Sequence, residues 1–157
     1  MSKRQPTARP HLLIASGDPD LSAFLTEGLV LAGFWASAIA SAFQVLEVFR
    51  LRSFDLVLLD AALGGPGAIE TLRRLRGTSD RAPDSPRTDI PVLIVAGNPG
   101  EMDAATAAAA GADGVMFAPI DLDDLAPRLL ETILAWRDAH PDRPWADAAH
   151  FAGPGVN

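Results

Sequence analysis

The 157-residue chain contains no cysteine and no tyrosine. Without cysteine there is no disulfide, no thiolate metal site and no thiol nucleophile. Lysine is almost missing as well: Lys3, in the first ten residues, is the only one. His11, His140 and His150 are far apart and lack ligand spacing, which argues against a histidine-built zinc site. No apolar run approaches the roughly 20 residues that a membrane-spanning helix needs. Met1–Pro10 is polar and basic, unlike a secretory signal. What is present is ordinary for one globular domain, 48% hydrophobic and 21% charged residues. The net charge is −7, and the body is more acidic still because Lys3, Arg4 and Arg9 lie in the arm. Such a surface argues against nucleic acid as the main partner. The expectation is a cytoplasmic domain with no membrane association.

The chain is organised around Phe54–Leu63. Leu56–Leu59 is a run of four large aliphatic residues, the mark of a strand buried on both faces at the centre of a parallel sheet. It stops on Asp60, and open α/β sheets place their chemistry at that carboxyl end. Before it, 1–10 reads as a disordered arm and His11–Ser16 as a first strand. A helix opens at Asp18 or Pro19 and stops near Gly33. Phe34–Ser41 reads as a weak second strand and Phe43–Leu51 as a second helix. Beyond it, Ala68–Arg76 is a third helix with Arg73, Arg74 and Arg76 outward. Residues 77–89 form a long loop without an apolar anchor, more readily tolerated than functional.

Ile90–Ala96 is the fourth strand and Glu101–Ala110 an alanine-rich fourth helix. Gly114–Pro119 is the fifth strand and Asp121–His140 holds the last helix. Pro127 predicts either a short separate turn over 122–125 or a kink. Residues 11–140 make one domain, and 141–157 a tail expected to dock in part through Trp145 and Phe151. Five β-α units in alternation imply a doubly wound α/β sheet.

In this order and spacing the chain resembles the receiver domain of two-component response regulators. The resemblance covers about residues 11–138. It rests on Ile14–Leu21, on Phe54–Asp60 with Leu63 and Gly65, on Pro91–Ile94, and on Ala109–Gly114 followed by Pro119–Asp121. It implies a flavodoxin-like fold with strand order 2-1-3-4-5 and a phosphoacceptor position at Asp60. In that family a histidine kinase passes a phosphoryl group to an aspartate. The charge that builds on the phosphoryl oxygens needs Mg²⁺ held by acids, a lysine and a hydroxyl. The resemblance sets the acid pair at Ser16 and Gly17, the hydroxyl at Ala96, the lysine at Ala118 beside Pro119, and the switch aromatic at Val115. None of those groups is present, and Lys3 cannot replace the lysine. The expectation is therefore no cofactor, with Mg²⁺ binding doubtful and no metal site.

Asp60 reads in two ways, as a phosphoacceptor or as a retained carboxylate that accepts backbone N–H bonds; the second is preferred. Asp18, beside the emptied corner, reads as a helix N-cap rather than a metal ligand. Trp136 is either core-edge packing or an interface anchor. The leading expectation is a stand-alone degenerate receiver that is not an enzyme and signals by binding a protein partner. A homodimer through the fourth helix, fifth strand and fifth helix belongs to that expectation. The alternative keeps phosphorylation of Asp60 by a cognate histidine kinase. A small ligand- or nucleotide-binding protein on the same fold ranks last, because there is no glycine-rich phosphate loop and no Ser-His or Cys-His constellation.

Overall fold

The computed structural model describes residues 9–81 and 83–146. The apolar runs form five strands: β1 (His11–Ala15), β2 (Trp35–Ile39), β3 (Leu56–Asp60), β4 (Val92–Ala96) and β5 (Gly114–Phe117). Helices follow each strand: α1 (Pro19–Leu31), α2 (Ala42–Val48), α3 (Ala68–Arg76), α4 (Ala104–Ala110) and α5 (Leu122–Ala139). All four strand pairings are parallel, in the order β2-β1-β3-β4-β5. This is the flavodoxin-like order, with the carboxyl ends of β1, β3 and β4 meeting at one edge.

Strand alternation divides the core. Leu13, Ala15, Val57, Leu59, Val92 and Ile94 face α2, α3 and α4, where they meet Val45, Leu72, Leu75 and Ala107. Their neighbours Leu12, Ile14, Leu56, Leu58, Leu93 and Val95 face α1 and α5, against Leu25, Leu29, Leu125, Leu129 and Ile133. Successive residues of a strand point to opposite faces, so an unbroken aliphatic run serves both layers. α1 and α5 approach closely because Gly28 has no side chain: a Cβ there would clash with Leu122 Cδ1.

Several boundaries differ from expectation. β2 is shorter at both ends, and α2 runs from Ala42 to Val48 rather than Phe43 to Leu51. α4 starts at Ala104, not Glu101, because Asp103 caps it by accepting from Thr106 N. Glu101 is held back in a turn, where its N–H donates to Asn98 Oδ1 at 3.1 Å. β5 ends at Phe117, ahead of a cis Ala118–Pro119 bond. α5 is continuous through Pro127, so no separate opening turn forms. Pro127 and Asp123, whose carbonyl the proline cannot serve, are both exposed.

The 77–89 loop is anchored by polar contacts rather than apolar ones. Arg76 donates to Thr88 O at 2.9 Å, Ile90 O at 2.8 Å and Gly111 O at 2.9 and 3.0 Å. Gly77 ends α3 with φ 76°, a left-handed cap that a side chain would strain.

Trp136 packs at the edge of the core. Its Nε1 donates to Asp89 O at 2.9 Å, and its ring stacks on His140 at 4.1 Å. The chain beyond α5 then turns under the sheet. Arg143 makes a bidentate pair with Asp89, at 2.9 and 2.8 Å, and Arg137 lies 3.9 Å over the Trp145 ring. Phe151, the other expected docking ring, lies outside the described residues.

The strap ends on Asp55. This carboxylate, 5% exposed, accepts from His11 N at 2.7 Å and Ala146 N at 3.0 Å. Burial pushes its carboxyl above the usual range, against the pull of the two backbone donors and Arg137. Replacing it leaves two buried N–H groups without acceptors. Asp55→Ala is expected to lower unfolding stability by about 2 kcal/mol, the loss of both bonds being partly offset by release of a desolvated charge. Urea denaturation checks this, and an unchanged midpoint would contradict it.

Candidate functional site

The carboxyl edge of the sheet forms an open cleft of about 300 Å³ lined by Asp18, Leu21, Asp60, Ala62, Val95, Ala96, Gly97, Glu101, Ala118 and Ile120. Asp60 is the last residue of β3, paired with Val95 of β4, and is half-buried. Its Oδ2 accepts from Ser16 Oγ at 2.7 Å and its Oδ1 accepts from Ala62 N at 2.9 Å. Both oxygens therefore have a protein donor.

Ser16 is held in place from both sides. Its N–H donates to Ile39 O at 3.1 Å, which extends the ladder one residue past β1. Its Oγ also accepts from Asp18 N at 3.0 Å. One hydroxyl thus links the end of β1, the turn into α1 and the Asp60 carboxylate. It stands where the resemblance sets an acid.

Asp18 acts as the N-cap of α1, with Oδ1 accepting from Asp20 N at 2.9 Å and Leu21 N at 3.3 Å. A carboxylate committed to a helix start in this way satisfies donors that would otherwise be orphaned. Ala96 closes β4 and is buried, and its carbonyl accepts from Ala118 N at 2.8 Å. These two methyl groups stand where the resemblance sets a hydroxyl and an ammonium. Among the described residues, no group of three His, Asp or Glu stands close enough together to hold a metal ion.

The fold therefore brings Ser16, Asp18, Asp60, Ala96 and Ala118 to one edge. It does not bring Gly17, Val115 and Pro119 into the same cleft. Gly17 lines the neighbouring groove between α1 and β2, Val115 is buried within β5, and Pro119 is exposed beyond it.

Sequence reasoning missed Glu101, which reaches the cleft from the β4–α4 turn, its Oε1 accepting from Gly97 N. The available signal was Asn98-Pro99-Gly100, a turn that keeps Glu101 out of the helix. Asp55 was also missed as a tie between β1 and the strap, although it lies one residue before the most conspicuous strand.

The geometry fits the comparisons with known proteins. Residues 12–130 match the family model described as the response regulator receiver domain. The probable transcriptional regulator ycf27 of Cyanidium caldarium is 24% identical over 132 residues, 82% of this chain and 48% of that protein. The TorCAD operon transcriptional regulatory protein TorR of Escherichia coli (strain K12) is 27% identical over 127 residues, 81% of this chain and 50% of that one. The chain spans about half the length of these curated relatives.

Among solved structures, a response regulator receiver domain protein (CheY-like) from Methanospirillum hungatei JF-1 superposes with TM-score 0.72 at 20% identity, over 84% of this chain and 99% of that one. A sensor protein from Polaromonas sp. JS666 gives TM-score 0.68 at 26% identity, over 81% of this chain and 98% of that one. The family match takes in most of the chain, including β3 and its terminal Asp60, so this protein belongs to the receiver-domain family of two-component response regulators.

Proposed function

We propose that this receiver has lost Mg²⁺-dependent phosphoryl acceptance and signals by binding a protein partner. One observation carries the reading: the Asp60 carboxylate is held by the Ser16 hydroxyl at 2.7 Å, where a metal-binding receiver would need a second negative charge. A hard divalent ion that keeps several waters needs carboxylate oxygens and open coordination positions. Here the candidates are Asp60, already bonded twice, Asp18, committed to a helix cap, and Glu101, whose Oε1 accepts from Gly97 N. The residues do not fit Mg²⁺, and no step of the proposed action passes through it.

The partner surface in this reading is the face made by α4, β5 and α5, which also serves a homodimer. α4 offers a thin face because Ala104, Ala105, Ala108 and Ala109 are exposed and carry only methyl groups.

The test is incubation with acetyl phosphate and Mg²⁺, read by intact mass. The expected result is no phosphoryl adduct. A Mg²⁺-dependent adduct abolished by Asp60→Asn would instead establish the second reading, in which a cognate histidine kinase phosphorylates Asp60. That reading draws on the place of Asp60 at the wall of an open cleft.

A further inference from the structure

At the opposite, amino-terminal end of the sheet the strap and the 77–89 loop enclose a second hollow of about 290 Å³. Arg52, Arg87, Arg137 and Arg143 line it, and Asp55 is the only acid among its described lining residues. In a chain of net charge −7 this is a local reversal of sign. Asp55 is buried, accepts two backbone N–H groups and lies 4.0 Å from Arg137, so its charge offsets that arginine. Arg143 is balanced by Asp89, and Arg137 points two of its nitrogens at the carbonyls of Arg143 and Pro144.

Arg87 is different. It is exposed and makes no hydrogen bond or ion pair among the described residues. Yet it is positioned: its guanidinium carbon lies 2.9 Å from where a Gly77 Cβ would stand, so the bare glycine seats it. Two of the four arginines, both tryptophans of the wall and the strap itself lie beyond residue 130, where the family match ends. That wall of the hollow therefore falls outside the matched residues.

We propose that this hollow binds a small phosphate monoester. Guanidinium groups pair with phosphate through paired N–H donors, and a monoester carries close to two negative charges at neutral pH. The volume lies at the lower end of ligand pockets, which suits a phosphate with a compact organic part. The tryptophan rings are already engaged, Trp136 by His140 and Trp145 by Arg137, so recognition is by charge and not by base stacking. The site is remote from Asp60 and does not depend on how that residue is read.

The experiment titrates the full chain with inorganic phosphate, glycerol 3-phosphate and succinate. It follows tryptophan fluorescence in a Trp35→Phe background, so that both reporting rings line the hollow. Saturable responses to phosphate and glycerol 3-phosphate, weakened roughly tenfold or more by Arg87→Glu and several-fold by Arg87→Ala, are expected. Asp60→Asn should leave them unchanged. A stronger response to glycerol 3-phosphate than to phosphate identifies the ester; equal responses identify the free ion. The proposal is overturned by no saturation at millimolar phosphate, by binding that survives Arg87→Glu, by binding lost in Asp60→Asn, or by succinate binding where phosphate does not. Equal melting temperatures for wild type and the Arg87 variants keep these outcomes separate from misfolding.

Discussion

The triple variant Ser16→Asp, Gly17→Asp, Ala118→Lys is expected to take a phosphoryl group from acetyl phosphate in a Mg²⁺-dependent manner, and the wild type is expected not to. Each substitution supplies a charge the reaction needs: a carboxylate at Ser16 beside Asp60, a second at Gly17, which shares a groove with Ser16, and an ammonium at Ala118 for the developing oxyanion. The structure admits them. Gly17 has no positive φ, and a Cβ there meets only Ala40 O at an ordinary 3.6 Å. Ala118 is exposed on the wall of the Asp60 cleft, with room for a long side chain. Ser16 is the demanding position, since it is 3% exposed and its hydroxyl holds Asp60.

A carboxylate in place of that hydroxyl sets two negative charges side by side. Without metal the variant should therefore melt lower than wild type, and Mg²⁺ should restore it. Removing one transition-state stabilising group commonly costs about 10² to 10³ in rate. Returning a metal and an ammonium together should then raise labelling of Asp60 by at least about 10³ over wild type. Intact-mass kinetics and Mg²⁺-dependent melting read the two effects. A wild-type rate equal to the variant's would defeat the proposed loss of acceptance, because the missing groups would then be dispensable.

The fold was legible because its signals are long-range and redundant. Leu56–Leu59 can only be a two-sided strand, and alternation of such runs with amphipathic helices leaves few topologies. The element ends were less legible because they depend on single side chains. Asp103 rather than Glu101 caps α4, and that choice turns on whether a carboxylate bonds Thr106 N or Gly97 N. Pro127 left open a separate turn over 122–125 or a kink; the turn does not form, and exposure of both Pro127 and Asp123 makes the lost bond tolerable.

At the site, Asp60 stood out as the end of its buried strand, and the emptied positions around it were implied by the resemblance. The grip of Ser16 on Asp60 could not be read from the sequence, because the two residues are 44 apart in sequence and meet only through the β1–β3 pairing. The arginine hollow was hidden for the same reason. Its residues come from the end of α2, the 77–89 loop, α5 and the strap, and each alone reads as an ordinary surface cation.

Acid should destabilise this protein through His11, and His11→Gln should remove much of that effect. The imidazole is fully buried at the start of β1, its Nε2 shares a hydrogen bond with Ser37 Oγ at 3.1 Å, and its ring meets Phe54 edge-on at 5.2 Å. Burial, reinforced by the Arg52 charge, lowers its pKa to about 3. The unfolded chain titrates near 6.5, so below that pH it takes up a proton that the folded chain refuses. Stability from this residue is complete above about pH 6.5 and falls by about 1.4 kcal/mol per pH unit as pH drops toward 3.

The full span is on the order of 5 kcal/mol, a large part of the 5 to 15 kcal/mol typical of a domain. Asp55 works in the opposite direction. Its raised pKa means the folded chain binds that proton first, which adds stability as pH falls toward its unfolded value. Because Asp55 is common to both proteins, the difference between wild-type and His11→Gln curves isolates the imidazole. At neutral pH the variant should be less stable, through altered packing and a weakened contact with Ser37. Between about pH 6 and pH 4 that gap should close by roughly 2 to 3 kcal/mol and then reverse. Chemical denaturation at a series of pH values measures it, and two parallel curves would mean that His11 gains its proton equally easily in the folded and unfolded chains.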